Sequence, residues 1–150
     1  RASNLAPGDN LGTSEIYLRD MQNSTTERVS LADDEGRAYA DSGNPSVTEG
    51  GRFVAFSSGS IFLVSGDTNG FDDYFIRDRL HGSTELISLA SDGAQGNDTV
   101  GDGSISANGH FMVFESISTN LVPGDTNGRA DIFVRGYGKP YSVFLPTIVH

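Results

Sequence analysis

The chain repeats itself every 58 residues, and this period constrains the fold more than any other feature. The same glycine-rich phrase recurs around Gly8, Gly66 and Gly124, and the neighbouring segments align at the same offset without a gap. Residues 45–80 and 103–138 share 16 identities in 36 aligned positions. A period near 50 residues is typical of propellers, solenoids and other repeat arrays.

Each period predicts short strands and no helix. "RFVAFSS" at 52–58 and "TELISLA" at 84–90 alternate between two faces, and "DYFIRD" at 73–78 is aromatic and β-branched. Turn sequences such as "EGG" and "GDTNG" separate these segments. We therefore predict an all-β fold of propeller-type blades, each with four antiparallel strands, over about two and a half repeats.

The repeats divide the chain unequally. Residues 1–44 supply the last two strands of a blade and a connection, 45–102 a complete blade, and 103–150 a final blade with an apolar C-terminal strand. Phenylalanines recur at equivalent strand positions and are predicted to be core: Phe53, Phe56, Phe75, Phe111, Phe114 and Phe133.

The order of these phrases also carries a resemblance. "PSVTEGGRFVAFSS" at 45–58, "GDTNGFDDYFIRD" at 66–78 and "TELISLASDG" at 84–93 resemble the WD-repeat-like blades of the TolB type. Bacterial secreted proteins carry a version of such blades with the calcium-loop phrase GDTNGxxD. The resemblance implies a propeller fold and an extracellular or cell-surface location, but it says little about function because propellers host many unrelated roles.

The phrase "DTNGFDD" predicts a Ca²⁺ loop. Asp67, Asn69 and Asp73 occupy positions 1, 3 and 7, Gly70 permits a tight bend, and the carbonyl of Phe71 could add a ligand at position 5. Ca²⁺ takes six to eight oxygens from carboxylates, carbonyls and water. The alternative is a plain turn, in which Asp and Asn side chains bond their own backbone.

The other two copies serve as internal comparisons. The third keeps Asp125, Asn127 and Asp131, with Arg129 offering its carbonyl, whereas the first has Leu11 and Glu15 at two ligand positions. We predict two occupied calcium sites and one degenerate loop. The ions would stiffen a chain that has no cysteine, with the affinity of order 10⁻⁴–10⁻³ M that is typical of extracellular modules.

Composition excludes several partners. The formal charge of −10 argues against nucleic acid, and no apolar run approaches the length of a membrane span. The chain starts at "RASNL", which favours a mature product or an excerpt. Sequons at Asn23 and Asn97 are candidate glycan sites. The acidic loop at 91–103 favours a solvated connection over a further ion site.

No catalytic motif is present, since His81, His110 and His150 lack ligand spacing and no nucleophile elbow or zinc-protease motif occurs. We expect a non-catalytic extracellular structural protein, stabilised by calcium, that self-assembles into an oligomer or fibril. Open blade edges and the apolar segment 143–149 would make the contacts; that segment either covers the last blade or adds as a strand to a neighbour. The alternatives are a binding module cut from a larger closed propeller, or the accessory propeller of a hydrolase.

Overall fold

The computed structural model describes Leu5 and residues 12–137, and over these residues the protein is all-β. Nine strands form three antiparallel sheets, and the one helical element in this part of the chain is a short 3-10 turn at Glu49–Gly51. The predictions for Leu11 and for segment 143–149 lie outside the described residues. No helix within them is long and apolar enough to span a membrane.

The sheets follow the chain in order and contain two, four and three strands. The first pairs β1 (Tyr17–Asp20) with β2 (Thr25–Arg28). The second has the order β3-β4-β5-β6, comprising Ser42–Val47, Phe53–Ser58, Asp73–Asp78 and Ser83–Leu86. The third has the order β7-β8-β9, comprising Val100–Ile105, Phe111–Ser116 and Asp131–Gly136.

The two central strands of the middle sheet, β4 and β5, are buried on both faces, which explains the consecutive apolar residues at 53–56 and 74–76. Val54 and Phe56 of β4 pack towards Ile16 and Val29 of the first repeat. Side chains on the opposite face pack against the third repeat; the shared cluster includes Ala55, Tyr74, Ile76, Met112 and Phe114. Burying this apolar area on two sides supplies most of the favourable free energy of folding.

Strand β6 is shorter than predicted. "TELISLA" alternates through Ala90, but the ladder with β5 ends at Leu86, and Leu89 instead forms an isolated bridge with Gln95. The first repeat shows the same bridge between Leu31 and Arg37. The chain turns away after the ladder because these loops make their own backbone hydrogen bonds.

One predicted core residue is not core. Phe111 is 38% exposed, and Val113 and Ile132 beside it are 39% and 51% exposed. The equivalent of Phe111 in the second sheet, Phe53, packs edge-on against Tyr137 of the third repeat at 5.4 Å between ring centroids. Identical sequence positions are therefore buried or exposed according to whether a following sheet covers them.

Candidate metal centre

The loop 65–72 is the second half of the connection from β4 to β5. It brings two carboxylates together at the end of the second sheet where β5 begins. Asp73 is the first residue of β5 and pairs across the ladder with Ser58. Asp67 lies at the start of the loop, and the chain reverses at Gly70, whose φ of 73° is a left-handed conformation that favours glycine. Strand pairing thus fixes one carboxylate, and the turn brings the other back towards it.

Both carboxylates are buried, and most of their oxygens have no hydrogen-bond partner among the described residues. Asp67 is 5% exposed and Asp73 is 0% exposed. Ser88 donates its hydroxyl to Asp73 Oδ1 at 2.5 Å, but Asp73 Oδ2 and both Asp67 oxygens lack partners. Buried carboxylate oxygens are costly unless a cation or hydrogen-bond donors compensate them, and these three oxygens have neither among the described residues.

The pKa values show the same imbalance. Burial raises the pKa of Asp73 to about 6, and the charges of Asp67 and Asp72 add to this, while hydrogen bonding by Ser88 and Asn69 opposes it. Burial also raises the pKa of Asp67, against a smaller opposing effect of the nearby Asn69 amide. The charge of Asp67 thus adds to the effect of burial on Asp73, so the two buried carboxylates form an electrostatically unfavourable pair.

Asn69 braces the loop. Its Oδ1 accepts the Phe71 amide at 3.0 Å, and its Nδ2 donates to the carbonyl of Gly96 at 3.1 Å. Gln95 adds three contacts, since its Oε1 accepts from Thr68 twice and its Nε2 donates to a loop carbonyl. The Asx turn predicted as the alternative to a metal site is therefore present, together with buried oxygens that this turn does not satisfy.

The third-repeat loop has the same pattern in a more open setting. Asp125 and Asp131 are partly buried and Asn127 is exposed. Arg129 donates its amide to Asn127 Oδ1 at 2.8 Å, and Asn127 Nδ2 donates to Asp131 Oδ2 at 2.9 Å. The structure thus brings the predicted ligand side chains of this loop together, with less burial than around Asp67.

In the first repeat, an arginine side chain neutralises the buried acid. Glu15 stands where the second repeat has Asp73, and Arg28 stands where it has Leu86, each at an offset of 58. Arg28 Nε lies 3.0 Å from Glu15 Oε2, with both side chains buried, and Tyr17 donates its hydroxyl to the same oxygen at 2.6 Å. This ion pair was not predicted, although the paired changes at 15 and 28 are visible in the repeat alignment.

The donor set of the second-repeat loop suits a hard cation. Carboxylate, amide and carbonyl oxygens are the ligands that Ca²⁺ prefers. No group of three or more His, Cys, Asp or Glu side chains with metal-binding geometry occurs in the described residues. An ion here would draw on Asp67 and Asp73, with Asn69 and the carbonyl of Phe71 as the other predicted donors.

Other predicted sites fall on the surface. Asn23 lies exposed between β1 and β2 and donates to Asp20 Oδ2 at 2.8 Å. Asn97 is also exposed and donates to Thr119 Oγ1 at 3.0 Å. In the acidic loop 91–103, Asp92 accepts the Ala94 amide at 3.0 Å, which is ordinary turn chemistry.

Comparison with known proteins finds similarity among solved structures alone. No family model matches the chain, and no curated protein matches it. Among solved structures, the chain is similar to TolB from Acinetobacter baumannii, at 19% sequence identity and a TM-score of 0.49. The similarity covers 83% of this chain and 24% of that chain, so the chain spans about a quarter of the length of the structure it matches.

Proposed function

We propose that the protein is a non-catalytic structural module of propeller-type repeats, stabilised by Ca²⁺ at the loops between the second and third strands of its repeats. The observation that carries this proposal is the set of three buried, unpartnered oxygens on Asp67 and Asp73. A bound Ca²⁺ would compensate them and link the loop to strand β5. The third-repeat loop, with Asp125 and Asp131, is the second site.

Calcium would take the role that disulfides take in many extracellular proteins. The chain has no cysteine, and a ligand that binds only the folded state stabilises it by RT ln(1 + [L]/Kd). With a Kd of order 10⁻⁴–10⁻³ M at the buried Asp67 loop, 5 mM Ca²⁺ contributes about 1–2 kcal/mol there, and less at the more open Asp125 loop. An extracellular location belongs to this proposal, because calcium reaches such concentrations there.

Thermal unfolding with and without calcium tests the proposal. We expect 5 mM Ca²⁺ after chelation to raise Tm by about 5 °C, and Asp73→Asn to remove most of that rise. Asp92→Asn is the matched control, because it removes an exposed loop carboxylate that accepts only a backbone amide. Equal calcium-dependent rises in the Asp73→Asn and Asp92→Asn variants would contradict the proposed site.

Self-assembly is the second part of the proposal. The exposed apolar face of the third sheet, formed by Phe111, Val113 and Ile132, supports it because the equivalent face of the second sheet is covered by a neighbouring sheet. We expect light scattering to detect oligomers that Val113→Lys disperses and Met21→Lys, at an exposed site on the first sheet, leaves intact. A monomer at micromolar concentration would overturn this part.

The same face also favours a second candidate, a binding module within a larger closed propeller, in which a further repeat would cover it. Propellers close with about 4–8 blades. Fusing a copy of residues 45–102 after residue 150 separates the two candidates. If the face normally receives a further repeat, the extended chain should be monomeric and more stable, whereas persistent oligomers would favour assembly.

A further inference from the structure

A cleft of about 550 Å³ opens between the second and third sheets, at the end of the strands opposite the Asp67 loop. Its lining includes Phe53, Glu85, Ile87, His110, Arg135 and Tyr137. Its volume falls within the range of small-molecule pockets, and it combines an aromatic wall with charged side chains. The calcium proposal does not involve this cleft.

Between the first and second repeats, the counterpart of Arg135 forms an ion pair. Arg77, the counterpart of Arg135, is 4% exposed and donates to the Ala32 carbonyl at 3.0 Å and to Thr84 Oγ1 at 3.2 Å. Its second terminal nitrogen, Nη2, binds the carboxylate of Glu35. Arg77 therefore reaches back to the preceding repeat and holds a carboxylate there.

Arg135 also reaches back to the preceding repeat, to the carbonyl one residue before the equivalent one, and no carboxylate of the described residues forms an ion pair with it. Its Nη1 donates to the Leu89 carbonyl at 2.6 Å, and Gly93 stands where the first repeat has Glu35. Glu85 interacts with Arg135 electrostatically but forms no ion pair with it, and Glu85 accepts the Tyr137 hydroxyl at 2.9 Å. Burial lowers the pKa of Arg135, as expected for a guanidinium without a close counter-ion.

The two loops differ in side chain and not in backbone. Ala32 donates its amide to the Gly36 carbonyl at 2.9 Å, and Ala90 donates to Ala94 at 2.8 Å. Both loops also have a positive φ at the equivalent position, 62° at Glu35 and 88° at Gly93. The second loop therefore presents the first loop's conformation with the carboxylate removed.

The acidic groups of the cleft are already engaged. Asp78 accepts from Arg52 at 2.7 and 3.1 Å and lies 2.7 Å from His81 Nδ1, and the Arg52 guanidinium holds the pKa of Asp78 well below its usual range. Glu85 is bonded to Tyr137. Arg135 also lines the cleft, and its guanidinium forms no ion pair with a carboxylate of the described residues.

We propose that this cleft binds a small ligand through a carboxylate that takes the place of the missing Glu35 counterpart on Arg135. Arginine's paired N–H donors match a carboxylate in geometry as well as in charge. Phe53 and Tyr137 would pack against the apolar part of the ligand, and the volume limits the ligand to a small molecule or a single acidic side chain.

The first repeat suggests the variants for the test, because Gly93→Glu restores the residue that stands at the equivalent position 35. N-acetyl-glutamate α-amide, which mimics the Glu35 side chain, is titrated into the whole chain in saturating Ca²⁺ and followed by NMR shifts of the Arg135 and Tyr137 amides. We expect millimolar binding to the wild type, at least ~10-fold weaker binding to Gly93→Glu, and wild-type binding to Gly93→Gln. Both variants carry the same positive-φ cost, so only the installed charge distinguishes them.

Three results would overturn the proposal. These are no binding to the wild type, equal binding to Gly93→Glu and Gly93→Gln, or tighter binding of inorganic phosphate than of the glutamate derivative. Arg135→Met should abolish binding without changing the response of Tm to calcium, because the cleft and the Asp67 loop lie at opposite ends of the sheet. This last measurement keeps the failure of the ligand site distinguishable from the failure of the calcium site.

Discussion

The first and second repeats place a buried acid at the same position and neutralise it differently. In the first, Glu15 pairs with Arg28 inside the protein, whereas in the second, Leu86 stands at the position of Arg28 and Asp73 has an oxygen without a partner among the described residues. One repeat thus carries a permanent cation on a side chain, and we propose that the other takes one from solution. On that proposal, an arginine in the first repeat has the role that a metal ion has in the second.

Removing the internal cation should produce the largest effect. Arg28→Leu gives the first repeat the residue of the second and leaves Glu15 buried without a charge partner. Breaking a buried pair this way costs about 3–5 kcal/mol. We expect urea unfolding to show a loss of this size with or without calcium. Full recovery on adding calcium would contradict the view that the first loop has lost its metal site.

A second substitution in the Arg28→Leu variant tests whether the lost stability comes from the unpaired charge. Adding Glu15→Leu to Arg28→Leu removes the stranded carboxylate, so most of the lost stability should return. A double variant as unstable as Arg28→Leu alone would show that the arginine acts through packing and not through charge.

The second repeat predicts a pH dependence of about 3 kcal/mol in chelator. The folded pKa of Asp73, about 6, lies above the unfolded value near 3.9, so the folded protein binds this proton more tightly. Stability of the metal-free protein should therefore fall as pH rises from about 4 to above 6. Calcium should abolish most of that fall. Stability that is flat over this range in chelator would contradict the unpaired state of Asp73.

Transplanting the arginine tests whether the two solutions are interchangeable. Leu86→Arg puts a guanidinium at the position equivalent to Arg28, so we expect calcium affinity of the second-repeat loop to fall at least ~10-fold and metal-free stability at pH 8 to rise by about 1–2 kcal/mol. Leu86→Gln is the uncharged control, because it introduces polar hydrogen-bond donors at the same position without a cation. If both variants behave alike in calorimetric titration, the exchange of metal for arginine is wrong.

The third-repeat loop should give the smallest effect. Asp125 is only partly buried and Asn127 is exposed, so solvent already compensates part of their charge. Asp125→Asn should reduce the calcium-dependent rise in stability by under about 1 kcal/mol, less than Asp67→Asn at the buried site. A larger loss at Asp125 would reverse the ranking of the two loops.

Local patterns predicted the strands and the loop spacing well. β5 has the bounds read from "DYFIRD", and in the third-repeat loop Asn127 donates to Asp131, while their role as metal ligands stays a prediction. Exposure of Phe111 was not predictable from its equivalence to Phe53, because burial depends on a neighbouring sheet and not on the residue. The all-β class with antiparallel sheets is confirmed, while the calcium ions, the assembly and the glycans stay predictions.

The residues that the sequence did not predict contact the second-repeat loop from positions far along the chain, outside any local motif. Ser88 reaches Asp73 from the chain just beyond β6, and Gln95 reaches the loop from the connection to the next repeat. The pairing of Arg28 with Glu15 could have been inferred by reading the repeats against each other at two positions together. Aligning the repeats can therefore reveal pairs of residues that change together, in addition to the fold.

Calorimetric titration of calcium into the chelated protein tests the central claim most directly. We predict binding of two ions, a single ion in Asp73→Asn, and still two ions in Glu15→Gln, because the first repeat uses Arg28 instead of a metal. Absence of binding, or a stoichiometry that Asp73→Asn leaves unchanged, would contradict the account.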